Sequence, residues 1–126
     1  MKIHVEITRE VLLARGAVSE AGSVGAVVEF AGIVRGEEDG AAIAALDYEA
    51  YEEMARSEME RIARALAGQF PCESIEVIHR IGCVAVGETS ILVRIESKHR
   101  AEALGMLAEF MTRLKTDVPI WKKVSA

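Results

Sequence analysis

The chain opens on a strict alternation. Residues 2 to 7, Lys-Ile-His-Val-Glu-Ile, put apolar and polar side chains on opposite sides, as a strand with one buried face requires. Thr8 is positioned to cap a short helix over Arg9 to Arg15, and the Gly- and Ser-containing stretch from Ser19 to Gly25 breaks into a second strand, Ala26 to Val34. Residues 36 to 41, Gly-Glu-Glu-Asp-Gly-Ala, read as a polar turn or mobile loop before a strand from Ile43 to Glu49. From Tyr51 to Ala67 the period becomes helical through Met54, Ile62 and Leu66, and Gly68 with Pro71 just beyond ends it. Alternation returns over Ser74 to Ile81 and Ser90 to Glu96, with Gly87-Glu88 as the turn between them.

The last helix carries the clearest pattern. Leu104, Leu107, Ala108, Met111 and Leu114 recur at helical spacing after a candidate N-cap at Ser97, and Pro119 prevents extension much beyond Val118. Strands alternating with two longer helices predict an α+β fold, with the helices on one face of a mostly antiparallel sheet.

Composition narrows the class. A chain of 126 residues is long enough for one domain with one core, spanning residues 1–126. No apolar run reaches the ~18 residues of a membrane span, and the charged alternation at the start is unlike a signal-peptide core. Neither a membrane nor export is therefore expected. Cys72 and Cys83 are too few for a disulfide framework or a zinc site, which makes a reducing cytoplasm the default. Neither has a sequence-adjacent basic partner to activate a thiolate. There is no P-loop and no dinucleotide fingerprint, and His4 and His79 read as ordinary strand residues.

Charge adds direction. Residues 1 to 79 hold 7 basic and 15 acidic side chains, while residues 80 to 126 hold 8 basic and 5 acidic ones, so an anion is drawn to the C-terminal third. Nucleic acid is a poor partner, because the net charge is −5 and aromatics are 5% of the chain.

Three stretches carry candidate chemistry. Lys98, His99 and Arg100 crowd the start of the last helix, where the helix dipole disfavours cations and an anion would relieve the conflict. The plain alternative is that these side chains bend into water. Lys115 lies at the other end of that helix, about 22 Å from Arg100, so a site using both has to be shared by two chains. Beyond Pro119 the chain extends, with Ile120 and Lys122 on one side and Trp121 and Lys123 on the other. A lysine must lose its proton to act as base or nucleophile, and spacing alone leaves open whether Lys115 and Lys122 converge near Arg35. Phe30 and Val34 share a strand face that ends at Arg35; the plain reading makes Phe30 core and pairs Arg35 with Glu37 or Glu38.

Five blocks together resemble one family. They are GAVVEFAGIVRG (25 to 36), LDYEAYEEMA (46 to 55), VIHRIG (77 to 82), GETSILVRIESKHRAEA (87 to 103) and LKTDVPIWKK (114 to 123). In this order they are similar to the molybdopterin synthase large, catalytic subunit. The resemblance implies an α/β-hammerhead with a ferredoxin-like portion, dimerised at the centre of a heterotetramer. A small ubiquitin-like sulfur carrier is implied at each end, its C-terminal Gly-Gly thiocarboxylate threaded into the pocket. The implied reaction inserts sulfur into cyclic pyranopterin monophosphate to form the molybdopterin dithiolene, with no metal or organic cofactor. By this resemblance Lys115 and Lys122 match the catalytic positions, His99 and Arg100 the substrate-anion positions, Arg35 a pocket arginine and Phe30 its apolar neighbour. The same resemblance makes the pocket draw on both chains of the dimer, and Pro119-Ile120-Trp121 a stiff connector fixing Lys122 relative to Lys115.

The pattern has two departures. Val124 stands where many relatives carry Glu, and members of the family commonly continue past the position of Ala126 with an arginine-bearing tail. A non-catalytic relative that binds the carrier or a pterin is the alternative; without the resemblance, the residues also suit a small anion-sensing regulatory domain.

Overall fold

The computed structural model describes residues 1–16, 19 and 21–125. Nine strands and two helices follow one another among these residues: β1 (Lys2–Thr8), β2 (Ala26–Ile33), β3 (Glu37–Glu38), β4 (Ala41–Ala42), β5 (Ala45–Ala50), α1 (Glu52–Ala67), β6 (Ser74–Arg80), β7 (Gly82–Ala85), β8 (Thr89–Ser97), α2 (Arg100–Asp117) and β9 (Ile120–Val124). The main sheet has the order β1-β6-β8-β2, with β1 parallel to β6 and the other neighbours antiparallel. A second, fully antiparallel sheet has the order β7-β5-β9. The fold is α+β with mainly antiparallel pairing, as expected.

Alternation decides which face of the main sheet is covered. Val5 and Ile7 of β1, Ile75 and Val77 of β6, and Val93 and Ile95 of β8 point to the core that α1 and α2 close from one side. Burying a side chain such as Phe110 of α2, which is fully enclosed, contributes about 1.5–3 kcal/mol. The other face carries a charged cluster, in which Arg94 is paired with Glu29 and Glu96, beside the buried Leu92. Residues 9–16 roof this face rather than forming the expected helix. The Thr8 hydroxyl does accept the Glu10 amide, but as a local turn. The amides of Arg15 and Gly16 then donate to the Glu29 carboxylate, Arg94 donates to the Gly16 carbonyl, and Arg15 pairs with Glu76. Those cross-links hold the segment extended, which the sequence pattern did not reveal. Of the expected break from Ser19 to Gly25, Glu20 lies outside the described residues.

Other expectations shift in informative ways. Residues 36 to 41 form a hairpin turn, in which Asp39 and Gly40 adopt φ of 51° and 80°, the left-handed pair that joins β3 tightly to β4. A short strand, β7, lies between the expected strand ending at Ile81 and the expected turn at Gly87-Glu88; Gly82, at φ 88°, redirects the chain from the main sheet into the small one. In α1, Met54 is exposed, and the buried face is Ala55, Met59, Ile62, Ala63 and Leu66.

The expected stripe on α2 is also displaced. Ala103, Met106, Phe110 and Leu114 face the core, whereas Leu104 is 53% exposed and Leu107 and Met111 are half-buried. Two adjoining apolar stripes satisfy the same period, and the one with small residues packs closely. A Cβ at Gly105 would lie 2.3 Å from Phe70 Cε1, so the helix rests directly against that ring. The start of α2 differs as well. Ser97 is the last residue of β8, paired with Ala26, and its hydroxyl donates to the His99 carbonyl. Its place in the ladder keeps it from capping, so His99 is the N-cap and Arg100 the first helical residue.

Candidate active site

The C-terminal turn of α2, the small sheet and the edge of the main sheet enclose a cavity of about 430 Å³. Its walls include Phe30, Tyr48, His79, Lys115, Trp121 and Lys122. Lys115 stands in the last turn of α2, where the dipole favours a cation, beside the core anchor Leu114. The helix ends as Val118 turns to an extended backbone, and β9 begins directly after Pro119. Pairing with β5 sets Lys122 opposite Tyr48 and Lys123 opposite Asp47. The two lysines then diverge: Lys122 Nζ lies 3.2 Å from Glu38 Oε1, and Lys123 Nζ lies 3.2 Å from Glu49 Oε1. Lys115 has no ion-pair or hydrogen-bond partner among the described residues.

The structure thus brings Lys115, Lys122 and Phe30 to one cavity. Phe30 is half-buried on β2, opposite Val93, and also borders a shallow apolar groove formed by Leu104, Leu107 and Met111 of α2. Arg35 is not part of the cavity wall. It is exposed in a separate depression with Gly36, Glu37, Asp39 and Gly40, and pairs with neither Glu37 nor Glu38; the latter carboxylate is engaged by Lys122. His99 and Arg100 are exposed at the opposite end of α2, without a side-chain cap over the first-turn amides. One chain therefore holds two cationic regions.

His79 is the residue that the sequence pattern undervalued. Its alternation with Ile75 and Val77 sends it to the covered face, yet β6 ends there at the cavity, so the ring is 5% exposed and borders that space. Nδ1 lies 2.8 Å from the Arg80 carbonyl oxygen. A carbonyl only accepts, so Nδ1 carries the proton and Nε2 holds a lone pair in the neutral ring. Burial pushes the imidazole below the usual histidine range, and the Arg80 carbonyl opposes that shift. Tyr48 stacks edge-on at 5.3 Å between ring centroids. Inward alternation ending at a polar residue was the available signal.

Fold and cavity define a class: an α+β protein with a lysine-lined pocket where one helix end meets two sheets. Comparison with known proteins makes this specific. The family described as MoaE protein matches residues 6–117. The molybdopterin synthase catalytic subunit of Pyrococcus abyssi is 43% identical over 107 residues, covering 85% of this chain and 72% of the relative. Its human counterpart is 39% identical over 99 residues, covering 79% of this chain and 53% of the relative, so the aligned chain spans about half of the human protein. The crystal structure of molybdopterin synthase from Staphylococcus aureus superposes with a TM-score of 0.85 at 31% identity, over 94% of this chain and 88% of that one. A complex of subunits 1 and 2 of molybdopterin-converting factor from Helicobacter pylori matches with a TM-score of 0.68 at 29% identity, over 81% of this chain and 66% of that one. The chain belongs to the MoaE family, that of the molybdopterin synthase catalytic subunits.

Proposed function

We propose that this protein, residues 1–126 acting as one domain in the cytoplasm, is the catalytic subunit of a molybdopterin synthase. It transfers sulfur from the thiocarboxylated C-terminus of a small ubiquitin-like carrier to cyclic pyranopterin monophosphate, forming the dithiolene of molybdopterin. The observation that carries this reading is the meeting of Lys115 and Lys122 in one cavity, with Lys115 unpaired among the described residues. A Gly-Gly terminus has no side chains to obstruct entry, and an ammonium beside its carbonyl stabilises the oxyanion that forms on attack. Lys115 is assigned that role; Lys122, held by Glu38 until substrate arrives, is the second cation.

His99 and Arg100 are assigned to the pterin phosphate. First-turn amides without a side-chain cap, a guanidinium and an imidazole suit a dianion. They lie about 22 Å along α2 from Lys115, so the phosphate site of one chain serves the lysines of another. The half-covered apolar stripe of Leu104, Leu107 and Met111 between the two regions supports self-association, and a dimer with one carrier per chain gives a heterotetramer. Arg35 is assigned to the rim, and Phe30 to the wall that orients the pterin.

The test mixes purified protein, thiocarboxylated carrier and cyclic pyranopterin monophosphate and measures molybdopterin. Wild type is expected to make product; Lys115→Ala is expected to lose turnover while keeping its fold and the carrier complex. Arg100→Ala is expected to raise KM for the pterin and leave carrier affinity unchanged. Wild-type rates in Lys115→Ala would sink the catalytic assignment. A stable carrier complex without product from wild type would point to a non-catalytic binder.

A further inference from the structure

The cavity holds one group that the lysines cannot replace. A carrier that arrives as a thiocarboxylate and leaves as a carboxylate must gain an oxygen atom from water, and that water has to give up a proton. An ammonium has no lone pair to take it, and a neutral tyrosine hydroxyl is a weak base. An imidazole accepts protons near neutral pH. His79 borders the cavity with its Nδ1 committed to the Arg80 carbonyl and with no partner for Nε2 among the described residues.

We propose that His79 is a catalytic residue, the general base whose Nε2 takes a proton from the water that releases the carrier. The inference rests on the sulfur-transfer reading above. Once sulfur has bonded to the pterin carbon, the carrier's acyl carbon is joined to that sulfur. Water oxygen bonds to the acyl carbon as its proton passes to Nε2. The acyl carbon–sulfur bond then breaks, its electron pair leaves on sulfur, and the imidazolium returns the proton to the departing thiolate. Carrier acid and pterin thiol are the products, and the ring is neutral again.

The surroundings keep the base in its working form. Lys115 from α2 and Lys122 from β9 face the cavity beside it, Tyr48 from β5 covers its ring, and the neighbouring Arg80 guanidinium pairs with Glu88. Lys122 is itself paired with Glu38 of β3. None of the facing groups is a carboxylate free to stabilise an imidazolium, and burial also disfavours the charged ring. The neutral form is thus retained to lower pH than in an exposed histidine.

Two substitutions separate chemistry from architecture. His79→Asn retains a donor for the Arg80 carbonyl and removes the distal acceptor; His79→Gln fills more of the ring's volume but carries no basic nitrogen. Wild type is expected to show an acid limb below the ordinary histidine pKa; both variants are expected to lose it and to lower kcat about 100-fold or more with KM for the pterin within about threefold. Carrier binding, measured in parallel, should be unchanged. Wild-type kcat in either folded variant, or an unaltered acid limb, overturns the assignment of His79 alone. Failure of wild type itself to make product removes the sulfur-transfer reading and this proposal with it.

Discussion

Gly25→Ala tests whether the start of α2 is positioned for binding. Gly25 begins the approach to β2, and its amide donates to the Ser97 carbonyl at 2.9 Å. A Cβ at this position would stand 2.4 Å from the Lys98 carbonyl oxygen and 3.5 Å from its carbon. Both are backbone atoms, so no rotamer change makes room. Restoring ordinary contact at 3.4 Å requires the two strands to part by about 1 Å. Such overpacking costs about 1–3 kcal/mol. The reduced freedom of alanine in the unfolded chain offsets about 0.4–1 kcal/mol of that. The expected net loss is therefore up to about 2.6 kcal/mol in urea unfolding. Lys98 leads directly into His99 and Arg100, so the displacement is passed to the proposed phosphate site. A misplacement of this size reduces kcat/KM for the pterin by up to about 100-fold. Stability within error of wild type together with an unchanged KM would refute the reasoning. A loss confined to carrier affinity would refute the location of the phosphate site.

Two further predictions concern the supports of the site. Glu38→Gln removes the partner of Lys122; because the pair is partly exposed, stability should change by less than about 1 kcal/mol, whereas kcat should fall about 3- to 10-fold through loss of orientation. Unchanged turnover at normal stability would mean that the hairpin does not position Lys122. Gly105→Ala should destabilise by about 1–2 kcal/mol despite its better helix propensity, because the new methyl meets the Phe70 ring. Adding Phe70→Leu should show coupling of at least about 0.5 kcal/mol in a double-mutant cycle, and strict additivity would count against the contact.

Much of the framework was legible because alternation is a local property. β1 and β6 follow it from end to end, whereas β8, expected to alternate over Ser90 to Glu96, is buried over four consecutive residues from Ser90 to Val93. The face of α2 was not legible in the same way. Leu104 and Met106 both fit a helical stripe, and the choice between them depends on Phe70 and the sheet, which are distant in sequence. The segment after Thr8 was misjudged for a related reason: its partners Glu29, Glu76 and Arg94 come from three different strands. In the site, Lys115 and Lys122 stood out through their charge and the intervening proline. Their meeting with His79 depends on where β6 ends, and no local pattern encodes that position relative to α2.

The two cavity lysines ride on elements of unequal support, although Ile120 at the start of β9 also touches the main core. Lys115 rides on a helix anchored over the main core through Phe110 and Leu114, whereas Lys122 rides on the edge strand of a three-stranded sheet whose own core is Val34, Leu46 and Val84. Local opening free energies follow the amount of buried apolar packing, so the smaller unit opens first. Amide exchange should accordingly be faster in β9 than in the middle of α2. Mild denaturation would then dismantle the catalytic pair from the Lys122 side, with loss of activity preceding loss of helix.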